Sequence, residues 1–152
     1  MTVWYRVFGT NHAEPSPEAV LGHLQGLDGA VRGRFSGDEQ GWFRAELVLA
    51  PGAEPVNLER YLATEEGIRG ELNAWAAWLE TADESPHQGR LMQHVVSTTQ
   101  VFTLPRPVDT GDPADAVCIG LCRFLAVATD GVYQVDRQGF FAADGTLLVA
   151  EK

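Results

Sequence analysis

Glu65 and Arg69 lie four residues apart in the stretch VNLERYLATEEGIRGELNAWAAWLE. Leu58, Leu62, Ile68, Leu72, Trp75 and Leu79 recur there at helical intervals, so the segment is expected to be one long helix with an apolar stripe. Thr64 is expected to restart it after a break, since Gly67 and Gly70 weaken its middle. Glu65 falls on the stripe. A carboxylate on an apolar face needs a partner or a raised pKa, and Arg69, one turn on, supplies a partner. Glu66 and Asn73 flank Arg69, three before it and four after. Asn11 and His12 follow the first expected strand and join the cluster if their loop folds over it. The candidate ligand-binding set is therefore Glu65, Glu66, Arg69, Asn73, Asn11 and His12. The plainer reading of the same residues is an intrahelical ion pair among solvated neighbours, a common and weak arrangement.

Other chemistry finds less support. No Gly-x-Ser-x-Gly elbow is present. Cys118 and Cys122 sit in an apolar segment, where burial raises a thiol's pKa and makes it inert. Their spacing puts them on nearly one helix face, but a structural zinc site wants four ligands and none lies nearby in sequence. His87 and His94 are seven apart, two helical turns, too far to share an ion. No phosphate loop or nucleotide fingerprint occurs. Asp130, Asp136 and Asp144 are six and eight apart with apolar residues between them, which does not fit a calcium loop. They read as turn residues. No metal and no cofactor is expected.

These residues must be positioned by a framework, and the composition bounds it. The chain has 152 residues, 45% of them hydrophobic and 21% charged, enough for one folded domain spanning 1–152. Twenty-one acids against eleven bases leave a formal net charge of −10. That field repels nucleic acid and anionic membranes. It favours solubility first and a basic partner second. No signal segment and no run of eighteen apolar residues is seen, so the expected location is the cytoplasm, away from any membrane.

Thr2–Phe8 alternates as a strand, followed by a loop from Gly9 to Pro15. Ser16 and Pro17 open a helix carrying Val20, Leu21, Leu24 and Leu27, with Gly29 as its exit. A hairpin follows, in which Val31, Gly33 and Phe35 share a face and SGDEQG turns the chain into WFRAELVLA. After the long helix come a short one capped by Ser85 and a strand ending at Pro105. DPADAVCIGLCRFLAVA, with Asp112 as cap and Pro113 first inside, is apolar almost all round and is expected to be the buried central helix. Gly131 is read as its left-handed exit. The rest, VYQVD, FFA and TLLVA, is a three-stranded meander turned by RQG and ADG.

The expected fold is α+β: a mixed, mainly antiparallel sheet packed against helices. Its first part has a ferredoxin-like element order, followed by the buried helix and the meander. Trp75 and Trp78 are three apart, and Trp42–Phe43 and Phe140–Phe141 must each straddle a sheet. The spare aromatic surface needs either a second layer or a partner, which makes Trp75 and Trp78 candidate interaction residues. Two functions are weighed. One is a non-catalytic binding or interaction protein, with a protein partner or as a homodimer. The other is a small enzyme or small-molecule-binding domain built around Glu65 and Arg69.

Overall fold

A computed structural model describes residues 2–82, 85–107 and 112–151, with backbone alone at 112 and 113. The capping role read for Asp112 and Pro113 lies outside the described side chains. The chain order is β1 (Thr2–Gly9), α1 (Pro17–Leu27), β2 (Arg32–Asp38), β3 (Gly41–Val48), β4 (Val56–Leu62), α2 (Ile68–Thr81), α3 (Gln88–Val96), β5 (Gln100–Pro107), α4 (Asp112–Ala128), β6 (Val132–Val135), β7 (Gly139–Ala142) and β8 (Leu147–Ala150). The eight strands form one sheet in the order β2-β3-β4-β5-β1-β6-β7-β8. Every neighbouring pair is antiparallel. The α+β class and the C-terminal meander are as expected; the sheet is wholly antiparallel where the pattern predicts a mixed, mainly antiparallel one, and β4 adds a strand to the ferredoxin-like element order.

Strand alternation divides the molecule into two cores. Tyr5 and Val7 of β1, Leu58 of β4, Phe102 and Leu104 of β5, and Tyr133 and Val135 of β6 point to one face. Val20 and Leu24 of α1 and Cys118, Leu121, Cys122 and Leu125 of α4 cover them there. Phe8, Val101, Val132 and Phe140 point to the other face, where Ile68, Leu72 and Leu79 of α2 and Leu91 and Val95 of α3 meet them. Leu121 is buried, whereas Ile119 and Phe124 are half-buried. The last-turn Val127 is 71% exposed, so α4 is a covering helix with one wet edge, not one enclosed on all sides.

Three local expectations are corrected. Residues 56–62 form β4, not the start of the long helix. Val56, Leu58 and Arg60 alternate with Asn57 and Glu59, and the strand fills the place between β3 and β5. Helix α2 starts only after Gly67, whose φ of 86° ends the preceding turn. At the end of α4 the left-handed residue is Asp130, with φ 52°, not Gly131. Gly131 is required for a different reason: an added Cβ would lie 2.5 Å from the Phe8 carbonyl oxygen of β1. Ser85 does not cap α3, which begins at Gln88. Its hydroxyl instead accepts from the His87 N–H at 3.2 Å and donates to the Leu148 carbonyl at 2.7 Å, tying α3 to β8.

Of the spare aromatics, Trp75, Trp78, Phe140 and Phe141 pack against other rings. Phe140 lies 5.5 Å from Trp75, 5.8 Å from Trp78 and 5.8 Å from Phe8, ring centre to ring centre. Trp75 and Trp78 are half-buried against this cluster. Phe141, on the opposite face, stacks on Tyr133 at 5.1 Å. Among the described residues no helix is long and apolar enough to cross a membrane.

Candidate functional site

Two arginines are buried on the face covered by α1 and α4, one toward each end of the sheet. Arg106 on β5 is 8% exposed and Arg60 on β4 is 7% exposed. A buried guanidinium stays charged and must be satisfied, so each organises polar groups around itself. Each also lines a cavity.

The Arg106 cavity is opened by two prolines. β5 pairs with β4 only from Gln100 to Thr103. Beyond Thr103, Pro105 and Pro107 offer no N–H, so β4 and β5 part while β5 stays paired with β1 as far as Pro107. The gap is a cavity of about 750 Å³, walled by Leu49, Val56, Pro105 and Pro107 and by the β3–β4 loop at Ala50, Ala53 and Pro55. Asp28, Glu54, Asn57 and Arg106 supply its polar groups. The volume falls within the range of roughly 300–1,000 Å³ usual for small-molecule sites.

Behind that wall Arg106 Nε donates to Tyr5 Oη at 2.7 Å, and Tyr5 in turn donates to Asp115 Oδ1. Arg106 Nη2 stands 3.4 Å from Asp115 Oδ1. Burial, reinforced by the hydrogen bond to Asp115, pushes the Tyr5 hydroxyl well above its ordinary range. Burial also lowers the affinity of Arg106 for its proton, but the Tyr5 bond and the Asp115 charge outweigh it and its pKa rises. Burial pushes the nearby Cys118 thiol up to about 12, with Arg106 opposing. Cys122 is raised by burial too. Both thiols therefore stay protonated near neutrality.

The second cavity, of about 280 Å³, lies at the opposite end of β4, lined by Asp38, Gln40, Trp42, Phe43, Arg60, Leu62 and Glu65. A β-bulge builds it. Trp42 pairs with Gly37 and Arg44 with Ser36, so Phe43 is the extra residue. The bulge lets Trp42 and Ala45 both face the core and leaves Phe43 outside, 43% exposed. Trp42 Nε1 donates to the Pro15 carbonyl at 2.7 Å, and its backbone N–H donates to Glu14 Oε1 at 3.2 Å. Arg60 Nε donates to Gln100 Oε1 at 2.8 Å, and Nη1 donates to the Trp42 and Gln40 carbonyls at 3.1 and 3.3 Å. Gln100 Nε2 reaches on to the Asn11 and Ala13 carbonyls at 2.9 and 2.8 Å.

Of the six residues expected to cluster, only Glu65 lines this cavity. Glu65 lies in the turn between β4 and α2, exposed, and its carboxylate accepts the Leu62 N–H. The premise that it sits on an apolar helix stripe is corrected, because that helix does not exist there. Arg69 turns away and donates to the Val96 carbonyl of α3 at 3.0 Å. No Glu65–Arg69 ion pair forms among the described residues. The Asn11 backbone joins the Glu65 cavity through Gln100 and Arg60, whereas His12, Glu66 and Asn73 are exposed side chains outside its wall. Arg60, Gln100, Arg106, Tyr5 and Asp115 escaped the sequence reading. Two signals for them were present: an arginine alternating with Val56 and Leu58, and an arginine set between two prolines.

Comparison with protein-family models, with curated proteins and with solved structures finds no match. What the sites do has to be argued from their geometry. Among the described residues no group of three or more His, Cys, Asp or Glu side chains is placed to hold a metal ion.

Proposed function

We propose that the chain is a small-molecule-binding domain whose principal site is the Arg106 cavity, and that it holds its ligand without transforming it. The observation that carries this reading is the 750 Å³ opening left where the prolines of β5 end its pairing with β4. Its walls are mainly apolar, so the favoured ligand is a compact apolar molecule with one or two polar groups. Asn57 is a neutral polar side chain on the lining that would meet those groups, with the Arg106 charge behind the wall. Binding is favoured over turnover because a general acid or base works best with a pKa near the operating pH. Two of the proton carriers around the cavity, Tyr5 and Cys118 behind its wall, are shifted away from neutrality by burial.

Indole serves as a test probe. Titrated indole is expected to move the backbone amide signals of Leu49, Val56 and Asn57 together and to saturation. Ala53→Trp, in the exposed β3–β4 loop, fills the cavity and is expected to abolish those shifts while the fold is kept. Shifts scattered over the surface, or unchanged in the folded variant, would remove the proposal.

The second reading is self-association, favoured by a separate observation. Arg32, Arg34, Arg44 and Phe43 are exposed on β2 and β3, while the chain as a whole carries a formal net charge of −10. A basic strip on one copy complements the acidic surface of another. Sedimentation velocity over rising concentration is expected to show a salt-sensitive dimer under this reading. A single unchanging monomer excludes it.

A further inference from the structure

We propose that the Arg60 cavity is a second, independent binding site, for a small zwitterion carrying both a carboxylate and an ammonium group, of the free amino acid class. Three observations converge. Arg60 is 7% exposed, yet its Nη2 donates to no described protein group, while Nε and Nη1 are fully engaged. Every fully buried side-chain nitrogen and oxygen among the described residues has a partner, so Nη2 is the part of this guanidinium that meets the cavity. A fixed, charged donor at the base of a cavity suits a carboxylate.

The rim has the opposite sign. Asp38 and Glu65 line the same cavity, and each uses one oxygen on a backbone N–H, that of Gln40 at 2.9 Å and that of Leu62. The other oxygen of each has no partner among the described residues. A simple anion gains from Arg60 but is repelled by two carboxylates. A simple cation gains from the carboxylates but meets a guanidinium. Only a ligand with both charges is favoured by the whole site. The 280 Å³ volume is slightly below the usual range of about 300–1,000 Å³, which limits the ligand to a small one. Phe43 and Leu62 then offer an apolar wall to its side chain.

The test compares three molecules of similar skeleton: L-alanine, propionate and ethylamine. The readouts are the Gly41 and Leu62 amide signals and the Trp42 indole signal. L-Alanine is expected to bind at least about tenfold more tightly than either analogue. Arg60→Met risks the fold, so the deciding variant is Asp38→Asn with Glu65→Gln, both exposed. It is expected to weaken L-alanine and strengthen propionate, because the repulsion is gone while Arg60 remains. Equal binding of L-alanine and propionate to the wild type, or the same ranking in the double variant, overturns the proposal. So does the absence of any response to L-alanine. The signals of Leu49, Val56 and Asn57 report the Arg106 cavity separately, so failure of one site is distinguishable from failure of the other.

Discussion

Phe140→Ala is expected to destabilise the fold by about 3–5 kcal/mol, the usual cost of removing a buried phenylalanine. Phe140 has no exposed surface and is the hub on which Trp75, Trp78 and Phe8 converge. Its loss leaves a cavity that these rings can refill only by moving α2 off the sheet. Aromatic pairs add about 0.5–1.5 kcal/mol each beyond area burial, so three pairs lost together place the effect toward the upper end. The damage should also be local. α2 and α3 rest on this cluster, whereas α1 and α4 rest on the other face. Urea denaturation gives the total. Amide exchange is expected to rise first in α2 and α3, while the amides of α4 and β5 stay protected. A loss below about 1 kcal/mol would mean that the rings are not close-packed and that the second layer is not held by Phe140.

The features legible in the sequence are those with local causes. Ser16 and Pro17 start α1 as read, and the Ser16 hydroxyl accepts the Ala19 N–H. The hairpin of β2 and β3 and the terminal meander follow from turn residues between alternating runs. β4 was hidden because Leu58 and Leu62, four apart, satisfy a helical stripe while Val56, Leu58 and Arg60 satisfy a strand. The vacancy between β3 and β5 decides between them, and that vacancy is a tertiary fact. The sites fail for the same reason. Arg60 meets Gln100 across 40 residues and Arg106 meets Tyr5 across 101. Glu65 was singled out for its place on a helix that does not form, yet it lines a cavity whose floor is Arg60, because the β4–α2 turn carries it there. Polar residues can be listed from a sequence, but which of them converge is set by strand order.

Gly139→Ala is expected to cost about 3 kcal/mol or more, since it adds a steric clash to a backbone conformation that already costs about 1–3 kcal/mol for other residues. Gly139 opens β7 with φ 128°, which side-chain-bearing residues avoid. An added Cβ would lie 2.1 Å from the Val149 carbonyl oxygen and 2.9 Å from the Ala150 Cα, both backbone atoms of β8. A backbone neighbour cannot rotate away as a side chain can, so relief requires β8 to leave β7. β8 is a four-residue edge strand, held otherwise by the Ser85–Leu148 bond and by Glu151 accepting the Arg137 N–H at 2.8 Å. Its departure uncovers Val149 and Phe140, which couples the turn to the aromatic cluster. Thermal unfolding should show the loss, and exchange at β8 amides should approach that of an unfolded chain. Gly70→Ala is the matched control. Gly70 lies exposed on α2, and an added Cβ there meets nothing within 4 Å. It should stabilise by roughly 0.5–1 kcal/mol through helix propensity. Opposite signs at two glycines, one clashing and one free, are required if β8 packs on β7 in this register. A neutral Gly139→Ala would show that the sheet ends one strand earlier.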